Sequence, residues 1–459
     1  MTEQIKKTLR DSKTARWAAL AIVSFTMLCG YLFQEIISPL KPMLEAQYGW
    51  SSENFGTVVS GYGWLNVFLL MLIVVGIMLD KLGIRFSAIA SALIMVGGAA
   101  LKYYAIKYVE PHAMVHVLFW DMKSQVMLAG LGFAIFGVGV EYAGITVSKI
   151  IVKWFKGKEL ALAMGLEMAC ARLGSFAALF FAPKVAQATN ITTPIAMGVL
   201  LLLVGLLSFV VYYMLDVKLD KEIHSENLIS DEDKFKFSDI LFIVKNRGFW
   251  YIAMLCVLFY SAVFPFYKFG PDLMVNKFGI DPKSAGDIPS LLPFGTLFLT
   301  PLFGNLYDRK GKGASIMFLG AIMLILVHAV LWVPSITSVW IAIVMVIILG
   351  IAFSLVPSAM WPSVPKIIPE KQLGTAYALI FWVQNWGLMG VPWLLGKVLD
   401  KTNPGVAEAK ALGENINYNY STTWLIFVAC TLLALVFAFL LKAEDKRKGY
   451  GLEKPNIVA

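Results

Sequence analysis

Charge is what this sequence has least of. Only 15% of its 459 residues are Asp, Glu, Lys or Arg, and 58% are hydrophobic, with a mean hydropathy of +0.72. A soluble chain carries about a quarter charged residues, so this composition cannot build a water-facing surface and places the chain in a bilayer. Cysteine and histidine are also sparse, at four each. Cys29, Cys170, Cys256 and Cys430 are scattered among separate apolar runs, which excludes a disulfide framework. His112 and His116 stand in a loop, so no ligand set for a metal is expected. A Gly-rich phosphate loop ending in Lys-Ser or Lys-Thr is missing, which excludes a nucleotide-driven pump. Neither an enzyme nor a cofactor is expected. The basic first 16 residues lack the short apolar core and cleavage site of a secretory signal, so the first apolar run is expected to stay in the protein.

What remains is a series of apolar runs of about 20 residues, the length a helix needs to cross a ~30 Å hydrocarbon core. Six run Trp17–Leu40, Phe55–Leu79, Phe86–Ile106, Gln125–Val152, Leu160–Phe181 and Pro194–Leu215. Six more run Phe249–Leu273, Ala285–Tyr307, Ala314–Val333, Val339–Pro362, Leu373–Leu399 and Thr422–Lys442. The expected fold is an all-α membrane protein of twelve transmembrane helices in two six-helix bundles, residues 17–215 and 249–442. A charged linker, 216–248, joins them and contains the amphipathic stretch Phe237–Val244. Short tails, 1–16 and 443–459, flank the bundles. An even number of crossings puts both termini on one side, and most of the 39 lysines and arginines fall on that side. The positive-inside rule makes it cytoplasmic, and the net charge of +9 then needs no nucleic acid to explain it.

One loop recurs. Gly76-Ile-Met-Leu-Asp80-Lys81-Leu-Gly83-Ile-Arg85 separates the second and third runs, and Gly304-Asn-Leu-Tyr-Asp308-Arg309-Lys310-Gly311-Lys312 separates the eighth and ninth. The chain is therefore two related halves. Gly76 and Gly304 suit close helix approach, Asp80 and Asp308 suit pairing with cations or helix ends, and Gly83 and Gly311 suit a tight turn. The pattern resembles the cytoplasmic loop signature of the major facilitator superfamily. That resemblance implies a conformational latch at Gly76, Asp80, Lys81, Gly83, Arg85, Gly304, Asp308, Arg309 and Gly311, and not a substrate site.

Ionisable residues at bilayer depth cost at least ~2.5–3.5 kcal/mol on insertion scales, so each is a functional candidate. Glu141 lies 12 residues before Lys153, and Arg172 lies 14 after Lys158. At 1.5 Å per residue, both sit about 20 Å from the cytoplasmic edge. They form either a structural salt bridge or a clamp that receives a substrate's ammonium and carboxylate. Gln34, Glu35 and Glu167 form a second tier. Tyr267 and Lys268 follow Pro265 in a helix also interrupted by Pro271. Freed backbone near a cavity is where transporters place binding groups, although Lys268 could equally snorkel to the surface. Trp382-Val-Gln384-Asn385-Trp386 sets two amides between two indoles, and aligning the halves puts Asn385 opposite Arg172.

A closer resemblance rests on Gly137-Val-Gly-Val-Glu141, Trp154-Phe-Lys-Gly157-Lys158-Glu159, Ala171-Arg172-Leu-Gly174-Ser175, Val263-Phe-Pro265-Phe, Trp361-Pro362 and Gln372-Leu-Gly374-Thr-Ala-Tyr377. These are similar to the lysosomal dipeptide transporter branch. The resemblance implies alternating-access uniport of dipeptides, with Glu141 meeting the amino end and Arg172 the carboxylate, in a monomer. The chain departs from the branch at Tyr142-Ala143, and its amino tail has no acidic dileucine signal. A plasma membrane, that of a bacterium, is expected. Two alternatives stay open: a proton-coupled symporter of organic anions or sugar acids, with Arg172 and Lys268 on the anion, and a non-transporting sensor on the same scaffold.

Overall fold

The structure, a computed structural model, describes residues 11–117, 120–155, 158–222, 237–369 and 372–456. Helix α1 (Lys13–Glu35) begins at Ser12, whose hydroxyl accepts from Ala15 N at 3.4 Å. A 3-10 turn at Ser38–Leu40 carries the chain into α2 (Lys41–Tyr48), so the first crossing is prolonged beyond Leu40. Helix α3 (Ser52–Phe68) opens on a capping box between Ser51 and Asn54, which satisfies two otherwise unpaired N–H groups. It is separated from α4 (Met71–Tyr108) by Leu70, held at φ 51°. Within α4, Gly83 leaves the helix at φ 79°, ψ 170°, a conformation open to glycine and little else. The first motif glycine thus makes the turn its position requires, and α4 holds the end of the second crossing and all of the third. Gly311, at φ 66°, ends the eighth crossing in the same way.

A short antiparallel hairpin follows, β1 (Met114–Val117) and β2 (Trp120–Lys123), which the sequence pattern did not announce. The remaining elements are α5 (Ser124–Phe155), α6 (Leu160–Ala188), α7 (Thr192–Glu222), α8 (Phe237–Val244), α9 (Arg247–Phe278), α10 (Asp287–Lys310), α11 (Gly313–Trp332), α12 (Val339–Ile367), α13 (Leu373–Thr402), α14 (Val406–Ala411) and α15 (Ser421–Lys448). Ten helices among the described residues are individually long and apolar enough to cross a membrane. Following the chain gives twelve passages, because α3 runs on into the first part of α4 and the proline-bearing α10 supplies the eighth. Helix α7 continues past Leu215, and Asp216 is buried within the first half. The charged run Asp231–Lys236 lies outside the described residues.

Helices α1 and α3–α7 pack on one another, as do α9–α13 and α15. The two sets meet along α3 with α13 and along α6 with α10. Glycines show how far each seam closes. At the end away from the termini, called here the far end, a methyl on Gly56 would strike the carbonyl of Pro392, and one on Gly396 the carbonyl of Ser52. One on Gly286 would strike the carbonyl of Leu179. At the near end, methyls on Gly76, Gly165 and Gly304 would meet nothing within 4 Å. The halves are therefore sealed at the far end and apart at the near end, and Gly76 and Gly304 are not close-packed in this conformation. Forcing a side chain into such a seam costs about 1–3 kcal/mol. Gly396→Val is accordingly expected to raise the far-end-open population by about tenfold, read as the distance between spin labels at Gln187→Cys and Lys283→Cys, exposed far-end positions of the two halves. An unchanged distance distribution would show that the seam does not limit far-end opening.

Candidate functional site

Glu141, on α5, points toward α3, where the Tyr62 hydroxyl donates to its Oε1 at 2.9 Å. Arg172, on α6, lays its guanidinium 4.9 Å from the centroid of Phe353 on α12 and 5.8 Å from Tyr31 on α1. Its Nη1 is buried and has no hydrogen-bond acceptor among the described residues. The two residues form no ion pair with each other among the described residues. Tyr31 lies within electrostatic range of Glu35, Glu141, Glu167 and Arg172, so it marks the middle of the charged group.

The second half answers with an aromatic box. Phe353 packs edge-on to Tyr260, Phe264 and Tyr267, at 6.0, 5.6 and 6.5 Å between centroids. Trp361 Nε1 donates to the Tyr260 hydroxyl at 3.1 Å, while the buried Tyr267 hydroxyl has no partner. An arginine stacked on rings keeps its fork of donors free for a carboxylate. An orphan donor on each side of the seam, Arg172 and Tyr267, is the kind of buried group that ordinarily has a partner.

Between α1, α3 and α5 of one half and α9 and α13 of the other lies a small cavity of about 20 Å³. Its walls include Gln34, Tyr62, Phe133, Phe264, Lys268 and Leu388. Lys268 neither reaches the surface nor faces the cavity freely. Its ammonium donates to Glu35 Oε2 at 2.8 Å and to the Gln34 carbonyl at 2.9 Å, an ion pair across the seam. Trp382 is also a seam residue: its Nε1 donates to the Val67 carbonyl at 3.1 Å, and its ring meets Trp386 edge-on at 5.9 Å. Gln384 and Asn385 are both buried. Asn385 Nδ2 donates to the Phe381 carbonyl at 3.0 Å, and its Oδ1 has no partner.

Sequence reasoning missed Tyr31, Tyr62 and Phe353, because aromatic residues inside apolar runs carry no distinguishing pattern. It also missed a charge cluster at the far end. Lys41 contacts Glu45 at 2.5 Å and Asp272 at 2.8 Å with all three side chains fully buried, and Lys410 approaches Glu45 at 3.6 Å. The Tyr420 hydroxyl also donates to Asp272. Lys41 and Lys410 lie outside the apolar runs, yet Lys41 is fully buried and Lys410 only partly exposed.

The repeated loops bind within their own halves. Asp80 pairs with Lys149, and Arg85 Nε donates to Asp216 Oδ2 at 2.8 Å, where Lys153 and the Tyr212 hydroxyl also converge. Asp308 accepts from Asn456 Nδ2 at 2.8 Å, and the Glu453 carbonyl accepts from Lys312 N at 2.9 Å. The carboxy-terminal segment therefore straps the second loop. Lys81 and Arg309 are exposed.

Helices, seams and cavity together define a membrane transporter, and residues 23–392 match the family model described as Major Facilitator Superfamily. The chain belongs to that superfamily. It is 28% identical over 453 residues to the "Lysosomal dipeptide transporter MFSD1" of Danio rerio, covering 95% of this chain and 88% of that one. Among solved structures it resembles the nucleoside transporter NupG, with a TM-score of 0.67 at 15% identity, covering 93% of this chain and 98% of that one. It also resembles a bacterial homologue of the human lysosomal transporter Spinster in an inward-facing, unoccupied conformation. There the TM-score is 0.66 at 14% identity, covering 95% of this chain and 98% of the other. These structural likenesses carry the fold alone.

Proposed function

We propose that this secondary transporter moves dipeptides by facilitated diffusion, with Glu141 receiving the ammonium and Arg172 the carboxylate. The observation that carries the reading is the unpaired Nη1 of Arg172, buried beside an aromatic box while Glu141 is held apart by Tyr62. A structural salt bridge would have joined the two charges; a clamp keeps them separate and available. The similarity to dipeptide transporters over 95% of the chain supports the same substrate class. In this reading Gln384, Asn385 and Tyr267 line the substrate path, Lys268 and Trp382 hold the seam, and the repeated loops latch the near end, which is cytoplasmic. The two bundles rock about the midplane site of a monomer in the plasma membrane.

The test is counterflow of a labelled dipeptide into proteoliposomes. Uniport predicts equal plateaus with and without an imposed pH gradient. Accumulation driven by that gradient would overturn uniport, and failure of any dipeptide to exchange would overturn the substrate class.

A further inference from the structure

Helix α8 is apolar on both of its faces. Its described side chains, Ile240-Leu-Phe-Ile-Val244, include no polar group. Ile243 is buried, Ile240 and Val244 are half-buried, and the helix packs on α9 and α13. Leu241 and Phe242 face away from the bundle, 69% and 51% exposed. A helix that is hydrophobic all round is stable only when covered, so this outer face needs an apolar solvent. The turn after α8 sets its level. Asn246 N donates to the Ile243 carbonyl at 3.0 Å, and Trp250 Nε1, in the first turn of α9, reaches back to the Val244 carbonyl at 2.8 Å. Helix α8 is therefore held against the start of a membrane-crossing helix. Trp250 is itself 40% exposed, an indole of the kind that marks the boundary between acyl chains and headgroups.

Beside this apolar edge lies an excess of positive charge. Lys245 and Arg247 flank Asn246 and are exposed, as are Arg447 and Lys448 at the end of α15, a helix that packs along α9. The Tyr450 hydroxyl donates to Asn246 Oδ1 at 3.2 Å, which joins the end of α15 to the turn between α8 and α9. One acid, Glu444, lies in electrostatic range of Arg247, Arg447 and Lys448, and Arg447 takes both of its oxygens, at 2.6 and 2.8 Å. Lys245, Arg247 and Lys448 form no ion pair among the described residues. Arg247 also stands first in α9, where the helix dipole favours an anion over a cation, so its charge does not serve the helix. We propose that the α8–α9 turn and the end of α15 form a binding site for an anionic phospholipid of the leaflet at the near end. Lys245, Arg247 and Lys448 hold the phosphate, while Leu241, Phe242 and Trp250 lie among the acyl chains beneath it. A free phosphate would meet the cations alone; the adjoining apolar edge commits the site to a lipid. Bound lipid thus anchors the last segment of the linker to the bundle it leads into.

The test uses no substrate, so it stands or falls separately from the dipeptide assignment. The detergent-purified full chain is titrated with phosphatidylglycerol, with phosphatidylcholine and with soluble glycerol phosphate. Two readouts are taken: the unfolding temperature, and the lipid retained in native mass spectrometry. Phosphatidylglycerol is expected to be retained and to raise the unfolding temperature by mass action, with little effect from the other two. Lys245→Gln, Arg247→Gln and Lys448→Gln should each weaken its binding by about fivefold, and Phe242→Ser should weaken it as well. Equal stabilisation by phosphatidylcholine would reduce the site to ordinary lipid contact, and equal stabilisation by glycerol phosphate would make it a site for a soluble anion. Either result overturns the proposal, as does phosphatidylglycerol that fails to bind or binds all four variants as it binds the native protein.

Discussion

Replacing Arg172 with alanine is expected to raise the dissociation constant for a dipeptide by about a hundredfold or more without destabilising the free protein. The two halves of that statement come from the same atom. In the free protein Nη1 has no acceptor among the described residues, so truncation breaks no hydrogen bond of that nitrogen; it loses ring contacts with Phe353 and Tyr31, about 0.5–2 kcal/mol, against the relief of a buried unpaired charge. In the complex it is the carboxylate's partner, and truncating one member of a buried, hydrogen-bonded charge pair costs about 2–5 kcal/mol, or about 30- to several-thousandfold. Glu141→Gln should cost less, because the amide still accepts a hydrogen bond from an ammonium. Calorimetric titration alongside unfolding temperatures checks both parts; a variant that unfolds early yet binds normally would make Arg172 a structural residue.

Asp272→Asn is expected to shift the resting protein toward a far-end-open conformation by about a hundredfold. Lys41 and Glu45 lie on α2 in one half, and Asp272 and Lys410 lie in the other, with Lys410 in electrostatic range of Asp272. Separation therefore leaves one neutral pair in each half, which is why a fully buried cluster can open at all. The closed state joins the pairs through Lys41 and Asp272 at 2.8 Å with neither side chain exposed. Removing one partner of such a bridge costs about 3–5 kcal/mol. Separation in the variant leaves Lys410 alone, but that lysine is already partly exposed and water compensates it. The far-end labels described above would report the shift. A distance distribution like the native one would show that this cluster does not hold the gate.

The architecture was legible because bilayer physics writes it plainly. Apolar runs of crossing length, a loop repeated at half the chain and a one-sided lysine distribution together specify a twelve-passage, two-part fold. Gly83 and Gly311 sit at positive φ where the motif needs a turn. Glu141 and Arg172 stood out by depth alone, since charge inside an apolar run is a strong signal; their role as a clamp is the proposal made above. Position across the seam was not legible. Lys268 and Trp382 read as ligands by type, but the structure spends them on Glu35 and on the Val67 carbonyl, partners more than 200 residues away in sequence. Lys41 and Lys410 read as loop lysines because hydropathy places a residue along the membrane normal and says nothing of which neighbour bends over it. Tyr62 and Phe353 meet Glu141 and Arg172 through a hydroxyl and a ring face, contacts that only packing reveals.

The most direct measurement of the central claim is a thermal-shift comparison of free dipeptides with the same dipeptides acetylated at the amino end or amidated at the carboxyl end. Ligand that binds the folded state raises its apparent stability by mass action, and a two-ended clamp needs both charges. The clamp predicts stabilisation by free dipeptides, little by either blocked form, and none in Arg172→Ala. Stabilisation by organic acids or by amino-acetylated dipeptides alone, surviving Glu141→Gln, would contradict it and favour an anion carrier.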